Sequence, residues 1–320
     1  MSAHLRTRED HQIGIICALA LEKAAVEGML DDEHPGLKKM EHDVNDYTLG
    51  RIGVHNIVIA CLPAGSLGNG PAATVAKDME RSFPIKFGLM VGIGGGVRSK
   101  KTDIRLGDVV ISQPEWSHGG VVQWDFGRME YRGVFRRTGS LNKPPPELLH
   151  ALQSMQTKHL RRGNNLQDSL QIIARNPVMA EKFGYPGAKH DQLFEAAYDH
   201  KGEETCEGCD TQKLVERLPR TNSAPIIHYG NIASGNKVMK HGLTRDQLAK
   251  DEKVICFEME AAGLMDNFPC LVTRGICDYA DSHKNDTWQH YAATTAAAAA
   301  RELLRFIDQQ ELIGVRLGCE

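Results

Sequence analysis

The 320-residue chain has 38 Lys+Arg against 41 Asp+Glu, a formal net charge of -3, and is 41% hydrophobic and 25% charged. These values are ordinary for a globular protein and exclude a general basic nucleic-acid-binding surface. No apolar run is long enough to span a bilayer. The polar start from Met1 to Asp10 has no signal-peptide core, so a cytoplasmic location is expected, with residues 1–10 as a disordered tail. In that reducing setting the 8 cysteines are expected as core thiols or ligands rather than disulfides.

In chain order, Ile13 to Leu19 reads as a buried strand and Glu22 to Leu30 as a helix. Tyr47 to Ile52 and Asn56 to Cys61 read as strands joined at Gly53. Gly70 to Arg81 has a helical pattern, and the strand from Phe87 to Val91 runs into Gly92-Ile93-Gly94-Gly95-Gly96. Asp108 to Ser112 is the next strand. From about 116 to 225 the texture turns basic and proline-containing, with a helix from Glu147 to about Leu160 and a polar loop from Arg161 to Gln167. Strands resume at Ile226, so this stretch is read as an insert in one domain spanning 11–312. A strand Ile226 to Ala233 comes next, then a helix after Leu243, strand Val254 to Phe257, helix Glu260 to Asn267, strand Leu271 to Cys277, and a last helix from Thr287 to Gln309. Strand alternating with helix predicts a single-domain three-layer α/β/α fold on a mixed, largely parallel sheet.

Ligands of parallel α/β sheets bind at the carboxyl ends of strands. Two adjacent strand ends here are expected to carry acids: Glu258-Met259-Glu260 after one, Asp278 after the other. A carboxylate such as Glu260 can accept hydrogen bonds from two vicinal hydroxyls. The structural alternative is charge stabilisation of a helix N-terminus, worth roughly 0.3–1 kcal/mol. A carboxyl partly removed from water suits a general acid, the role open to Asp278; its alternative is a turn cap, which fits Asp281 better. Glu22 is either a first-turn helix acid or a base that activates water. The glycine cluster 92–96 can bring backbone N–H groups close to a ligand, or form a tight turn. It lacks the Gly-Lys-Ser/Thr of a P-loop and the spacing of a dinucleotide fingerprint.

With Ile13-Gly14-Ile15-Ile16 before Glu22, then Val91 to Gly96, Arg105 to Val110, Ile232-Ala233-Ser234-Gly235, Phe257 to Ala261 and Arg274 to Asp278 in order, the chain resembles the purine and uridine phosphorylase superfamily. It is most similar to the hydrolytic nucleosidase branch, and Cys277 to Asn285 looks like the wording of fungal members, some of which are N-terminal domains of immune-type receptors. The resemblance implies that Asp278 protonates N7 of a purine and Glu22 activates the attacking water. It implies that Met259 and Glu260 hold the ribose, Glu260 on the 2′- and 3′-hydroxyls, with Phe257 beside the base. It extends the substrate-binding set to Glu258, Gly92, Ile93, Gly94, Ser234, Cys277 and Val238, the last where nucleosidases place an aromatic under the base. It implies no cofactor, a small-molecule nucleoside as partner, no nucleic acid, no membrane, and a homo-oligomer.

The phosphorylases carry an early Gly-Asp-Pro-x-Arg motif whose arginine holds phosphate; here that position reads Cys17-Ala18-Leu19-Ala20-Leu21-Glu22. An anionic Glu22 repels phosphate and suits water, so hydrolysis of purine nucleosides to base and ribose is the expected reaction. Phosphorolysis, with a clamp from Arg98, Lys100, Lys101 and Arg105, is the alternative, as is a nucleotide substrate such as ATP held by those residues or by Arg128, Arg132, Arg136 and Arg137. A nucleoside-sensing module that lost activity is a further reading. Within the insert, Cys206 and Cys209 form a C-x-x-C with His190 and His200 upstream; a loop thiol pair is favoured over an incomplete zinc set. Trp124 to Arg128 is read as an aromatic core plug or a cavity wall.

Overall fold

In a computed structural model of the chain, residues 6–202 and 205–308 are described. The first half contains β1 (Ile13–Cys17), α1 (Ala20–Glu27), β2 (Asp32–His34), β3 (Tyr47–Ile52), β4 (His55–Cys61), α2 (Asn69–Ser82), β5 (Phe87–Gly96) and β6 (Val109–Ser112). The middle contributes β7 (Val121–Gln123), β8 (Gly127–Met129), β9 (Phe135–Arg137), α3 (Pro146–Arg162), α4 (Leu166–Arg175) and α5 (Pro177–Phe183). The rest is β10 (Ile227–Ser234), α6 (Gly242–Glu252), β11 (Val254–Glu258), β12 (Cys270–Asp278) and α7 (Gln289–Leu304).

All five residues of β1 are buried, because the strand is paired on both edges and covered on both faces, which is why it reads as an unbroken apolar run. Nine strands of the 10-stranded sheet run β11-β10-β6-β12-β5-β1-β4-β3-β2, and the tenth, β7, pairs with β10 off this path. Pairings of β1 with β4 and β5, of β12 with β5, and of β10 with β6, β7 and β11 are parallel. The pairs β12–β6, β3–β4, β2–β3 and β11–β5 are antiparallel. One core layer packs α1, α3, α4 and α7 on the sheet; α2 and the turn after β11 cover the other face. This is a mixed α/β single domain.

The edge of β5 that pairs with β1 over Phe87–Met90 pairs with β11 at Gly95 and Gly96. The strands β5, β12, β6, β10 and β11 therefore close into a ring. Closure removes exposed strand edges. The strand ends carrying Glu258 and Asp278 are thus not adjacent, as the sequence suggested: β5 lies between them, with Gly95 paired to Phe257 on one side and Asp278 on the other.

Several sequence expectations change. The glycines 92–96 continue β5 rather than forming a turn, and atoms of neighbouring segments occupy the space that Cβ atoms on Gly92, Gly94, Gly95 and Gly96 would need. The helix expected over Glu260–Asn267 is only one 3-10 turn, Ala261–Gly263. The backbone of Asn69, at the start of α2, presses against Gly263, and Pro269 and β12 follow at once. The loop expected from Arg161 to Gln167 is shorter, since α4 begins at Leu166. The stretch read as an insert contributes to sheet and core: β7 joins the sheet beside β10, and Leu148, Leu152, Met155 and Ile173 enter the main core. Residues 6–10 are not a loose tail but form a turn in which Asp10 accepts from Thr7 N at 2.7 Å; residues 1–5 lie outside the described residues, as do Gln309 and the expected domain end at 312. The alanine-rich α7 is buried along its length, and its small side chains let it lie close on β12 and β5. Among the described residues no helix is long and apolar enough to cross a membrane.

Candidate active site

The carboxyl ends of β5, β11 and β12, with the β1–α1 connection and the segment after β10, enclose a cavity of about 350 Å³. Glu22, Glu258, Glu260 and Asp278 all line it.

Glu22 sits in the first turn of α1 and does serve the helix: its Oε2 accepts from Ala18 N at 2.7 Å and Leu19 N at 2.9 Å. Its Oε1 accepts from Ile93 N at 2.7 Å, so the glycine-flanked strand end holds the acid in place. A carboxylate has about four acceptor positions; three are taken by backbone here, which leaves Oε1 able to accept once more. Burial pushes the Glu22 carboxyl up, against the pull of Arg274 and the backbone donors. That is the direction expected of a base that must take a proton near neutrality.

Arg274 organises the other side. Its side chain is 1% exposed, in the middle of β12. Nη2 donates to Glu258 and, at 3.3 Å, to Glu260, while Nη1 lies 3.9 Å from Glu22. Burial works against the guanidinium charge, but Glu258, Glu260 and Glu22 outweigh it and hold the group charged. A Cβ on Gly92 would collide with both Arg274 and Glu22; glycine there is what lets the pair meet. Glu258 also accepts from Glu260 N at 3.1 Å and Ala261 N at 3.0 Å, so it is fully engaged in structure. Glu260 keeps more freedom. It accepts from Gly68 N at 3.3 Å, and burial, with Glu258 and Glu22 opposing the pull of Arg274, raises it to about 7.

This last shift has a measurable consequence. Ribose hydroxyls donate to an ionised carboxylate, and a raised Glu260 is partly protonated near neutrality. The KM for a ribonucleoside should therefore fall as pH rises from about 6 to about 8, and Glu260→Gln should flatten that slope. Steady-state KM values across this range test it; a flat wild-type profile would argue against Glu260 as the hydroxyl acceptor.

Asp278 ends β12. Its Oδ1 accepts from Ala280 N at 2.7 Å, and its Oδ2 lies 3.0 Å from Lys284 Nζ and 3.2 Å from the Cys277 thiol. A Cβ on Gly95 would sit 2.6 Å from Asp278 Oδ1, so glycine again clears the acid's position. Burial works against the Lys284 charge, and Asp278 outweighs it and keeps the ammonium up. Burial pushes the Cys277 thiol well up, so it remains a donor.

Of the other sequence candidates, Ile93, Gly94, Phe257, Met259, Cys277 and Val238 line the cavity. Val238 is 49% exposed, on the solvent side, and supplies no aromatic surface. Phe257 is buried and meets Trp124 edge to face at 6.4 Å; Trp124 is half-buried against the cluster that holds Phe257, while Phe126 is exposed. Two candidates lie behind the wall. Gly92 lies beneath Glu22 and Arg274 rather than on the wall. Ser234 is fully buried and accepts from Ala262 N at 2.9 Å, bracing the turn after β11. Asp281 pairs with Arg245 and caps His283 N at 2.9 Å, in keeping with the structural role read for it.

The basic residues weighed for a phosphate clamp lie elsewhere. Arg98 and Arg105 pair with Asp103. Arg128 and Arg136 pair with Glu130 on the β8–β9 hairpin, and Arg137 with Glu252. None of these lines the cavity. A second cavity of about 330 Å³ does border Arg105, but its Asp108 is bound by Arg220 and His228 and carries no free acid or base pair.

The model of the phosphorylase superfamily matches residues 12–308. The chain belongs to the phosphorylase superfamily. Among relatives of this superfamily member, a nucleotide-binding leucine-rich repeat (NLR)-like protein of Hyaloscypha variabilis is 46% identical over 95% of the chain and 30% of its own length. The ATP nucleosidase Cap17 of Escherichia coli is 24% identical over 91% of the chain and 50% of its own length. The chain thus spans half or less of these relatives. A solved 5′-methylthioadenosine/S-adenosylhomocysteine nucleosidase of S. pneumoniae superposes with a TM-score of 0.57 at 17% identity, covering 93% of this chain and 100% of that one.

Sequence reasoning missed Arg274 and Lys284 as members of this superfamily site. Arg274 carried a signal, as a lone cation inside an apolar strand, where a charge persists only when paired. Lys284 lies in a polar loop and carried none.

Proposed function

We propose that the chain is a purine nucleosidase that hydrolyses the N-glycosidic bond of purine nucleosides to free base and ribose. The observation that carries this reading is Glu22: a buried carboxylate held by three backbone N–H groups at the wall of the cavity that also contains Asp278 and Glu260. An acid at that wall disfavours a phosphate nucleophile by charge and can deprotonate water. Arg274, the nearest arginine, is committed to three carboxylates.

In this mechanism the C1′–N9 bond stretches toward a ribosyl oxocarbenium ion. Asp278 gives its proton to N7, and the bonding electrons leave with the neutral base. Water adds its oxygen to C1′ and yields a proton to Glu22. Transfer of one proton from Glu22 back to Asp278 through solvent restores both acids. Glu260 accepts from the ribose hydroxyls, and its charge with that of Glu22 stabilises the cation. Lys284, 3.0 Å from Oδ2, steadies the Asp278 carboxylate that remains once N7 holds the proton.

A second reading, a 5′-phosphorylated substrate, is favoured by the ammonium groups of Lys237 and Lys240, which line the solvent side of the cavity, and by the name of the relative Cap17. Incubation with adenosine, inosine, guanosine, uridine and ATP, with and without inorganic phosphate, tests both. Free purine with unphosphorylated ribose at a phosphate-independent rate is expected. Strict dependence on phosphate with ribose 1-phosphate as product would overturn hydrolysis, and turnover of ATP alone would select the nucleotide reading.

A further inference from the structure

The C-x-x-C of the insert is not an isolated thiol pair. Cys206 opens a 3-10 turn that Cys209 closes, and both thiols are free of disulfides. His200 Nδ1 lies 3.2 Å from Cys209 Sγ and 3.9 Å from Cys206 Sγ. The second imidazole does not come from His190, which is not among the clustered ligands. It comes from His283, in the loop after β12. The ligand atoms of His200, Cys209 and His283 all lie within 4.8 Å of one another, and Cys206 Sγ is 3.8 Å from the carbonyl of His283.

His283 is the telling residue. It is 7% exposed, yet neither ring nitrogen has a hydrogen-bond partner. A buried imidazole without partners is costly. The ring is stacked on Phe194 at 4.1 Å and stands perpendicular to His200 at 5.5 Å, so packing fixes its place beside the other ligands. Its Nδ1 is 3.6 Å from Asp281 Oδ1, which leaves Nε2 for a ligand. Metal-bound histidines commonly give their other N–H to a carboxylate, and Asp281 is the carboxylate placed to take it once the ring is fixed by an ion.

Zinc bonds of about 2.3 Å to sulfur and about 2.0–2.1 Å to nitrogen, set tetrahedrally, place a nitrogen about 3.5 Å from a sulfur. The two His200–Cys distances bracket that value. Two thiols and two imidazoles select zinc among common divalent ions.

We propose that His200, Cys206, Cys209 and His283 form a Cys2His2 site for a structural zinc ion. The ion ties the insert to the loop that follows Asp278. That loop is already gripped nearby, where His200 N donates to Ser282 Oγ at 2.9 Å, and it carries Lys284, the partner of Asp278. The metal is a staple for the acid's loop and takes no part in bond cleavage.

Elemental analysis of the full chain, purified without chelator, tests the proposal. About one zinc per chain is expected, with loss of the metal in Cys209→Ser and His283→Gln. Cobalt titration of metal-stripped wild-type protein should give the ligand-field bands of a tetrahedral thiolate site, a readout that needs no variant to fold. A strong chelator should lower the Tm of the wild type but not of Cys209→Ser. Zinc below about a tenth of an equivalent after reconstitution, a Cys206–Cys209 disulfide in the purified protein, or zinc retained undiminished in Cys209→Ser would each overturn the site.

Discussion

Asp278→Asn is expected to lower kcat for purine release by about 10²–10⁴-fold, the usual contribution of a positioned general acid. The substitution is nearly isosteric. The Asn side-chain oxygen can still accept from Ala280 N, as Oδ1 does at 2.7 Å, so the end of β12 should keep its shape and the thermal melt should stay close to wild type. What is lost is the proton delivered to N7 and the ion pair to Lys284. A 7-deazapurine nucleoside, which has no N7 to protonate, should be a poor substrate for the wild type and should separate the two proteins far less than the natural substrate does. Base release followed by chromatography gives the comparison. A variant that retains kcat within a few-fold of wild type would remove Asp278 from the acid's role.

Arg274→Leu should produce the largest loss of stability. The guanidinium lies among Glu22, Glu258 and Glu260, all buried. Removing one partner from a buried ion group typically costs about 3–5 kcal/mol, because the charges left behind have neither water nor a counterion. The midpoint of urea unfolding should fall accordingly. The pH dependence has a definite sign. In the variant Glu22 and Glu260, already raised by burial, lose the cation that opposed it, so their folded-state pKa values rise further above those of the unfolded chain. Such groups favour the folded state when protonated, so the deficit should be smallest in mild acid and grow as pH rises through the folded values. Adding Glu258→Gln should recover part of the loss, since it removes the carboxylate most closely bound to Arg274. A single variant within about 1 kcal/mol of wild type would mean that the carboxylates do not depend on Arg274 as their counterion.

The two expectations differ in how far the sequence foreshadowed them. Asp278 is legible because it directly follows an apolar strand, and strand ends are where parallel sheets place ligands. Glu22 and Glu260 are legible for the same reason, each within a few residues of a strand end. Both also have a structural use, and in Glu22 the two coexist: the carboxylate that faces the cavity also binds the first turn of α1. The glycines of β5 were visible as a cluster, but their work was not. Whether glycine serves a turn or a close approach depends on what faces it, and here Arg274, Cys256 and Asp278 come from other strands.

Periodicity and chain order were enough to predict the buried strands, most of the helices and an α/β fold, because those follow from local backbone geometry and from which residues must leave water. They also determined the three acids at the strand ends. Only the tertiary structure decided how those acids are used. The return of β11 to the far edge of β5 sets Phe257 and Asp278 on either side of Gly95, Arg274 becomes the common counterion of three carboxylates, and His283 reaches His200 and Cys209. Each of these depends on pairing between segments distant in sequence, and a buried charge or imidazole is satisfied by what surrounds it in space rather than by its neighbours along the chain.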